Sequence, residues 1–203
     1  MLLKNYHLLK NKEIYIFIFL FLLSFFPRIP IIFILGDTSL DHEWQHLVSN
    51  LIDHGKLVYQ TFDNGFLLPN LWMPPLYAYY LYFFTFLNLE NQNYILLILF
   101  SQIFLSSVSV LMLYQINKFF FSRRISFYST LIFSLFPIHM YACSQISSIS
   151  LQTFLTITFF YSFFIFVRKK NFLSIIGFSI TSALLILLRG EFWAIFLLTL
   201  IYL

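Results

Sequence analysis

The hydrophobic positions of this chain fall into long unbroken runs, over residues 14–35, 76–89, 94–117, 125–141, 148–167, 172–188 and 192–203. A helix that is apolar on every side belongs in lipid or in a fully buried setting, and about 18 such residues suffice to cross a bilayer. Only backbone that satisfies its own hydrogen bonds can make that crossing, so the runs predict helices. The expected fold class is all-α, a polytopic transmembrane helical bundle, with residues 1–203 forming a single membrane domain. No internal repeat and no hydrophilic linker marks a second one.

The first run follows Lys4, Lys10 and Lys12, as a signal peptide would, but continues past Pro27, Arg28 and Pro30 without a small-residue cleavage site. It reads as an anchored helix kinked at the prolines. Arg28 reads as a boundary residue whose stem snorkels to the interface. Residues 76–89 open with Pro74-Pro75, a helix-start signal, and as a helix would reach roughly 21 Å, short of a core about 30 Å thick. If they lie at the surface and the N-terminus is cytoplasmic, then Lys4, Lys10, Lys12, Lys118, Arg123, Arg124, Arg168, Lys169 and Lys170 are all inside. Only Lys56 and Arg189 are then outside. If they cross, most of these cations move outside, against the positive-inside rule. The expected crossings are therefore 14–35, 94–117, 125–141, 148–167, 172–188 and 192–203, the last incomplete. Residues 36–93 form an outer loop, and a bacterial inner membrane is the expected location, with that loop periplasmic.

Within the loop Trp44, Leu47, Val48, Leu51 and Ile52 recur at helical spacing as one stripe, opposite a face with His42, Glu43, Gln45, His46, Ser49, Asn50 and Asp53. Gly55 stands where a C-terminal cap would. Such a helix would lie flat on the bilayer against a second short helix from Leu76. Asp37, Asp41, Glu43, Asp53 and Asp63 all fall in this stretch, so the chemistry is concentrated there.

Composition strengthens the membrane reading. Of 203 residues, 60% are hydrophobic, 22% aromatic and 10% charged, too few polar groups to cover a globule in water. The net charge of +4 sits mostly in links between apolar runs, where it orients the chain, and nucleic acid is not an expected partner. A single cysteine, Cys143, allows no internal disulfide or thiolate cluster and reads as packing.

The acid opening an amphipathic helix (Asp41 to Asn50), then Leu51 to Gly55, then Met73-Pro74-Pro75-Leu76-Tyr77, and Arg189-Gly190-Glu191 after a later helix, resemble GT-C membrane glycosyltransferases. The likeness is to the N-terminal part of the protein O-mannosyltransferase and aminoarabinose transferase group. It implies a GT-C-type bundle with two outer juxtamembrane helices, and sugar transfer from a polyprenyl-phosphate donor to a lipid, glycan or protein acceptor in the cell envelope. It implies Asp41 as catalytic base, with Glu43 the alternative one short register shift away. Arg189 would steady the lipid phosphate, and Tyr77 is the aromatic candidate for substrate. No cofactor is implied with certainty, and a divalent metal stays open. Gln45 stands where relatives often carry an aromatic, which Trp44 supplies one position earlier. Ser147, Ser148, Ile149 and Ser150 occupy the place of a second acid found in many relatives.

Plainer readings stand beside each of these. Asp41 could cap the helix, Arg189 could pair with Glu191, and Tyr77, Tyr79, Tyr80 and Tyr82 could form an interfacial belt. His42-Glu43-Trp44-Gln45-His46 is also HExxH, which on a helix offers two imidazoles and a general base to zinc, as in a membrane metalloprotease. Its third ligand is missing from any familiar spacing, with His54, Asp53 and Asp63 the nearest candidates. A non-catalytic transport or assembly subunit is the remaining alternative.

Overall fold

A computed structural model describes residues 2–61, 67–70 and 73–202, with side chains of residues 2–12, His42, Gln60 and Thr61 left undescribed. Asp63 and Leu203 lie outside the described residues, as do the side chains of Lys4, Lys10 and Lys12.

The elements run α1 (Leu2–Phe25), α2 (Arg28–Leu35), α3 (His42–His54), β1 (Val58–Thr61), β2 (Leu67–Pro69), α4 (Pro75–Thr85), α5 (Asn91–Phe120), α6 (Arg123–Ser134), α7 (Pro137–Ala142), α8 (Ser148–Lys169), α9 (Phe172–Leu188) and α10 (Phe192–Tyr202). The chain is mostly helical. Three segments are long and apolar enough to cross a membrane: Glu13–Leu35, Asn91–Phe120 and Ser148–Lys169. Phe172–Leu188 and Phe192–Tyr202 are shorter apolar helices.

The 30-residue α5 is the axis of the bundle, touching α1, α2, α4, α6 and α8. Its buried side includes Ser106, Ser107 and Ser109, small residues that let neighbouring backbones come close. Ser107 and Ser109 return their hydroxyls to the carbonyls of Ile103 and Leu105, which settles each polar group within its own helix. Against α5 lies α8, which packs on α9 through rings of Phe159, Phe163, Phe166 and Phe178.

Two apolar runs are broken by proline. The chain turns at Phe26-Pro27 between α1 and α2, because Pro27 has no N–H for the helix ladder. It turns again at Leu135-Phe136 before Pro137, so residues 125–141, expected as one helix, form α6 and α7. The half-helices α2 and α7 pack together.

The loop helices follow the sequence closely. In α3, Trp44, Leu47, Val48 and Leu51 are buried, and Gly55 ends it at φ 64°, the left-handed cap expected of glycine. Ile52 departs from the expected stripe and is 56% exposed. Pro75 occupies the first turn of α4, which stops at Thr85, shorter than residues 76–89. The mostly helical structure is consistent with the all-α expectation, and the described residues add a small hairpin: β1 and β2 pair antiparallel, Gln60 opposite Leu68 and Thr61 opposite Leu67. Asn50 of α3 donates to the Val58 carbonyl at 2.9 Å, fixing the hairpin on the helix.

The ends of the bundle differ. At one, Glu13, Lys118 and Arg123 meet, and α8 ends on Arg168 and Lys169 with Lys170 as its cap; this is the basic end. The other gathers α3, α4, the hairpin and the α7–α8 and α9–α10 links; this is the loop end.

Candidate functional site at the loop end

A cleft of about 560 Å³ opens at the loop end, lined by Trp44 of α3, Met73, Pro74 and Pro75 before and at the start of α4, Ser148 at the start of α8, and Ile186 to Glu191 around the α9–α10 link. Local chemistry builds each wall. Asn70 accepts from the Met73 N–H at 3.0 Å and donates back to the Met73 carbonyl at 2.9 Å. Its own N–H donates to the Leu57 carbonyl at 3.1 Å, so one asparagine ties the approach of α4 to the hairpin. Trp44 is buried with its ring edge-on to Tyr77, centroids 4.8 Å apart. Tyr77 in turn stacks on Tyr80 at 5.5 Å.

The cleft joins a cation to a helix start. Arg189 ends α9 and lies 3.7 Å from Glu191, a half-exposed pair of little energetic worth. Its Nε is buried without a partner among the described residues. Ser147 precedes α8 and its hydroxyl is also buried without a partner among the described residues, at a helix end where the first backbone N–H groups are free of intrahelical bonds. Positive helix-end charge beside a guanidinium suits an anion.

None of the described loop acids lines this cleft; Asp37 lines a separate cavity with Ile32, Gln92 and Leu99, and Asp41 lies one helical turn before Trp44. Asp41 occupies the N-cap position of α3, is exposed, and makes no capping hydrogen bond through its side chain. The simple capping role weighed for it is thus not exercised. Glu43 lies exposed in the first turn of α3. The charges of Asp37 and Asp41, not of Glu43, act on Tyr77, whose phenol is raised well above its ordinary value by burial first and by Tyr80, Tyr94, Asp37 and Asp41 after it. Tyr77 therefore stays a neutral donor, and its hydroxyl is buried with no partner among the described residues.

That placement corrects the interfacial-belt reading of Tyr77, which is 0% exposed. Tyr80 is half-buried and bonds the Ser101 hydroxyl, while Tyr79 alone of the four is well exposed. Arg28 is corrected more sharply. The expected snorkelling residue is fully buried, between α1 and α7. Asp37 is the acid the sequence did not single out: its carboxylate accepts from the Ile146 N–H at 2.6 Å and its N–H donates to the Ser144 carbonyl at 3.1 Å.

His46 is on the exposed face of α3, and the side chain of His42 is not among those described. Among the described residues no three His, Cys, Asp or Glu side chains come together to hold a metal. No family model, curated protein or solved structure matches the chain.

Proposed function

We propose that this protein is a GT-C-type membrane glycosyltransferase that moves a sugar from a polyprenyl-phosphate donor to an acceptor at the outer face of a bacterial inner membrane. The observation that carries this reading is the cleft in which Arg189 and the start of α8 meet Trp44, one turn after the acid that opens α3. An anion-binding wall and a carboxylate beside an apolar bundle suit a substrate with a phosphate head and a lipid tail. The preponderance of cations at the basic end supports a cytoplasmic N-terminus and an outer loop end. Helix α4, at 11 residues about 16 Å long, is too short to cross and lies at the surface in this topology.

The chemistry follows from the groups. An acceptor hydroxyl attacks the anomeric carbon, the new glycosidic C–O bond forms, and the bond from that carbon to the donor phosphate oxygen breaks. Asp41 takes the hydroxyl proton as the attack proceeds. The lipid phosphate leaves with the electron pair, and Arg189 with the first N–H groups of α8 steadies its charge. Tyr77 is a buried neutral donor packed behind Trp44, the ring that lines the cleft.

Asp41→Asn tests the reading. Loss of a general base costs about 10² to 10⁴ in rate, whereas asparagine keeps the shape of the side chain at the helix start. Transfer measured with a polyprenyl-phosphate sugar should fall at least roughly a hundredfold at saturating donor, while Glu43→Gln stays near the native rate. Loss through Glu43→Gln alone would move the base to Glu43. Native rates in both variants would end the acid-loop mechanism.

A further inference from the structure

Arg28 begins α2 just after the Pro27 break, inside the long apolar segment Glu13–Leu35, and none of its surface is exposed. Burying a cation in such a place is costly, and charged groups inside a membrane bundle mark function more often than packing. The planar guanidinium reaches two helices at once. Nη1 donates to the backbone carbonyl of Ser24 and, at 2.8 Å, to its hydroxyl; Nη2 meets His139 Nδ1 at 2.9 Å. Since guanidinium only donates, Nδ1 is the acceptor, which leaves Nε2 to carry the proton and face the Ser106 hydroxyl at 3.4 Å. A link from the break in one apolar segment to the half-helix after the break in another is thereby closed.

What the link holds is the segment between α7 and α8. Helix α2 is tied to that segment a second time at its far end, where Gln145 Nε2 donates to the Leu35 carbonyl at 2.8 Å. Two residues further on, Asp37 accepts from the Ile146 N–H and donates to the Ser144 carbonyl. Gln102 of α5 donates to the Gln145 carbonyl at 3.2 Å, closing the segment from the bundle side. The same segment leads into the start of α8, whose Ser148 lines the cleft, and Asp37 is one of the two acids whose charge reaches Tyr77. The height of both therefore depends on where α7 sits against α2, and Arg28 with His139 sets it.

We propose that Arg28 and His139 are positioning residues for the loop-end site: they clasp the two broken helices inside the bundle and so fix Asp37 and the start of α8, whose Ser148 lines the cleft. The proposal rests on the transferase reading for its consequence, but its structural half can be measured without any transfer assay. Arginine is needed because its fork spans Ser24 and His139 together, which a lysine ammonium cannot do.

The test places a cysteine at Ile146, which is 1% exposed, in full-length protein carrying Cys143→Ser. Maleimide labelling in detergent is compared with a second reporter at Phe163, buried in the α8–α9 core and away from the clasp. Arg28→Met should speed labelling at position 146 at least tenfold and leave position 163 within twofold. Arg28→Lys, which keeps the charge, should give an intermediate rate at 146 and carries the test should Arg28→Met fail to assemble. For transfer, kcat should fall about tenfold with the donor KM within twofold, because neither residue touches substrate. Unchanged labelling at 146, equal acceleration at both reporters, or faster labelling with native kcat would each overturn the proposal. A native protein that transfers no sugar would sink the transferase reading and with it the positioning role, while the labelling would still decide whether the clasp holds the segment.

Discussion

At the basic end Glu13 accepts from Lys118 at 2.9 Å, from Arg123 at 3.1 Å and from the Tyr114 hydroxyl at 3.4 Å, and Lys118 lies 5.4 Å from the Tyr114 ring centre. At the loop end Arg189 Nε, the Ser147 hydroxyl and the Tyr77 hydroxyl are buried with no partner among the described residues. Both ends bring charge to the rim of an apolar bundle. One satisfies it internally, which fits a cluster that staples α1 to α5 and α6. The other leaves donors unspent around a cleft, where an unpaired buried donor costs free energy unless a ligand or water meets it. The difference separates a structural ion cluster from a binding site by their hydrogen bonds, where composition alone would treat them alike.

The largest effect that can break this comparison is on donor binding. A charge-assisted hydrogen bond contributes about 1.5 to 3 kcal/mol, so Arg189→Met should raise the donor KM by roughly ten- to a hundredfold. Arg123→Met removes a cation of the same type at the other end and should leave that KM within about twofold, since its partner is Glu13. Steady-state transfer kinetics on both variants give the answer. Equal effects would mean that the two ends do not differ in the way their bonds indicate.

Next in size is the basic end itself. Glu13→Gln weakens two half-exposed ion pairs, each worth about 0.2 to 1 kcal/mol, so unfolding stability should drop by about 1 kcal/mol. Transfer should be unaffected. The drop should shrink in high salt, because screening already weakens exposed pairs. A loss of transfer without loss of stability would place function at the basic end.

The parts of this molecule that could be read in the sequence are those whose causes are local. Helix α3 announces itself through Trp44, Leu47, Val48 and Leu51 at one-face spacing and through Gly55, which only has to supply a left-handed φ. Pro74-Pro75 marks the start of α4 for an equally local reason. Arg28 was illegible because its setting beside two prolines looks like the end of a membrane segment, and its partner His139 lies 111 positions away. Asp37 was passed over because its partner is a backbone N–H, that of Ile146, which no side-chain pattern reveals. The hairpin shares this cause: Val58 to Thr61 is too short for a convincing alternation, and what holds it is a carbonyl taken by Asn50. Of the expected site residues, Arg189, read from its motif, lines the cleft, and Tyr77 packs against Trp44, which lines it too. Ser147 and Ser148 were noted only for the acid they lack, though the helix start they occupy supplies N–H groups instead.

The smallest stability effect gives the finest discrimination, and it concerns Tyr77. Its hydroxyl has no partner among the described residues, so Tyr77→Phe should leave stability at neutral pH within about 0.5 kcal/mol of native or slightly above it, since an unsatisfied buried hydroxyl is itself a cost. At alkaline pH the variant should gain. Burial and the nearby charges of Asp37 and Asp41 raise the phenol well above its ordinary value, so the folded state keeps this proton after the unfolded chain, near pH 10, has released it. Where the folded state holds more protons, stability falls as pH rises, so native protein loses stability above about pH 10 and Tyr77→Phe removes part of that loss. Tyr80, pushed up to about 12 by burial against the pull of its bond to Ser101, keeps its own share in both proteins. Denaturation curves at pH 7 and pH 10.5 would separate the two. If the hydroxyl serves a ligand, transfer by Tyr77→Phe should nonetheless fall several-fold at neutral pH, in a protein no less stable than native. A variant that instead lost stability at pH 7 and transferred sugar at the native rate would show Tyr77 to be bonded within the fold, and the contrast between the two ends would lose its loop-end donor.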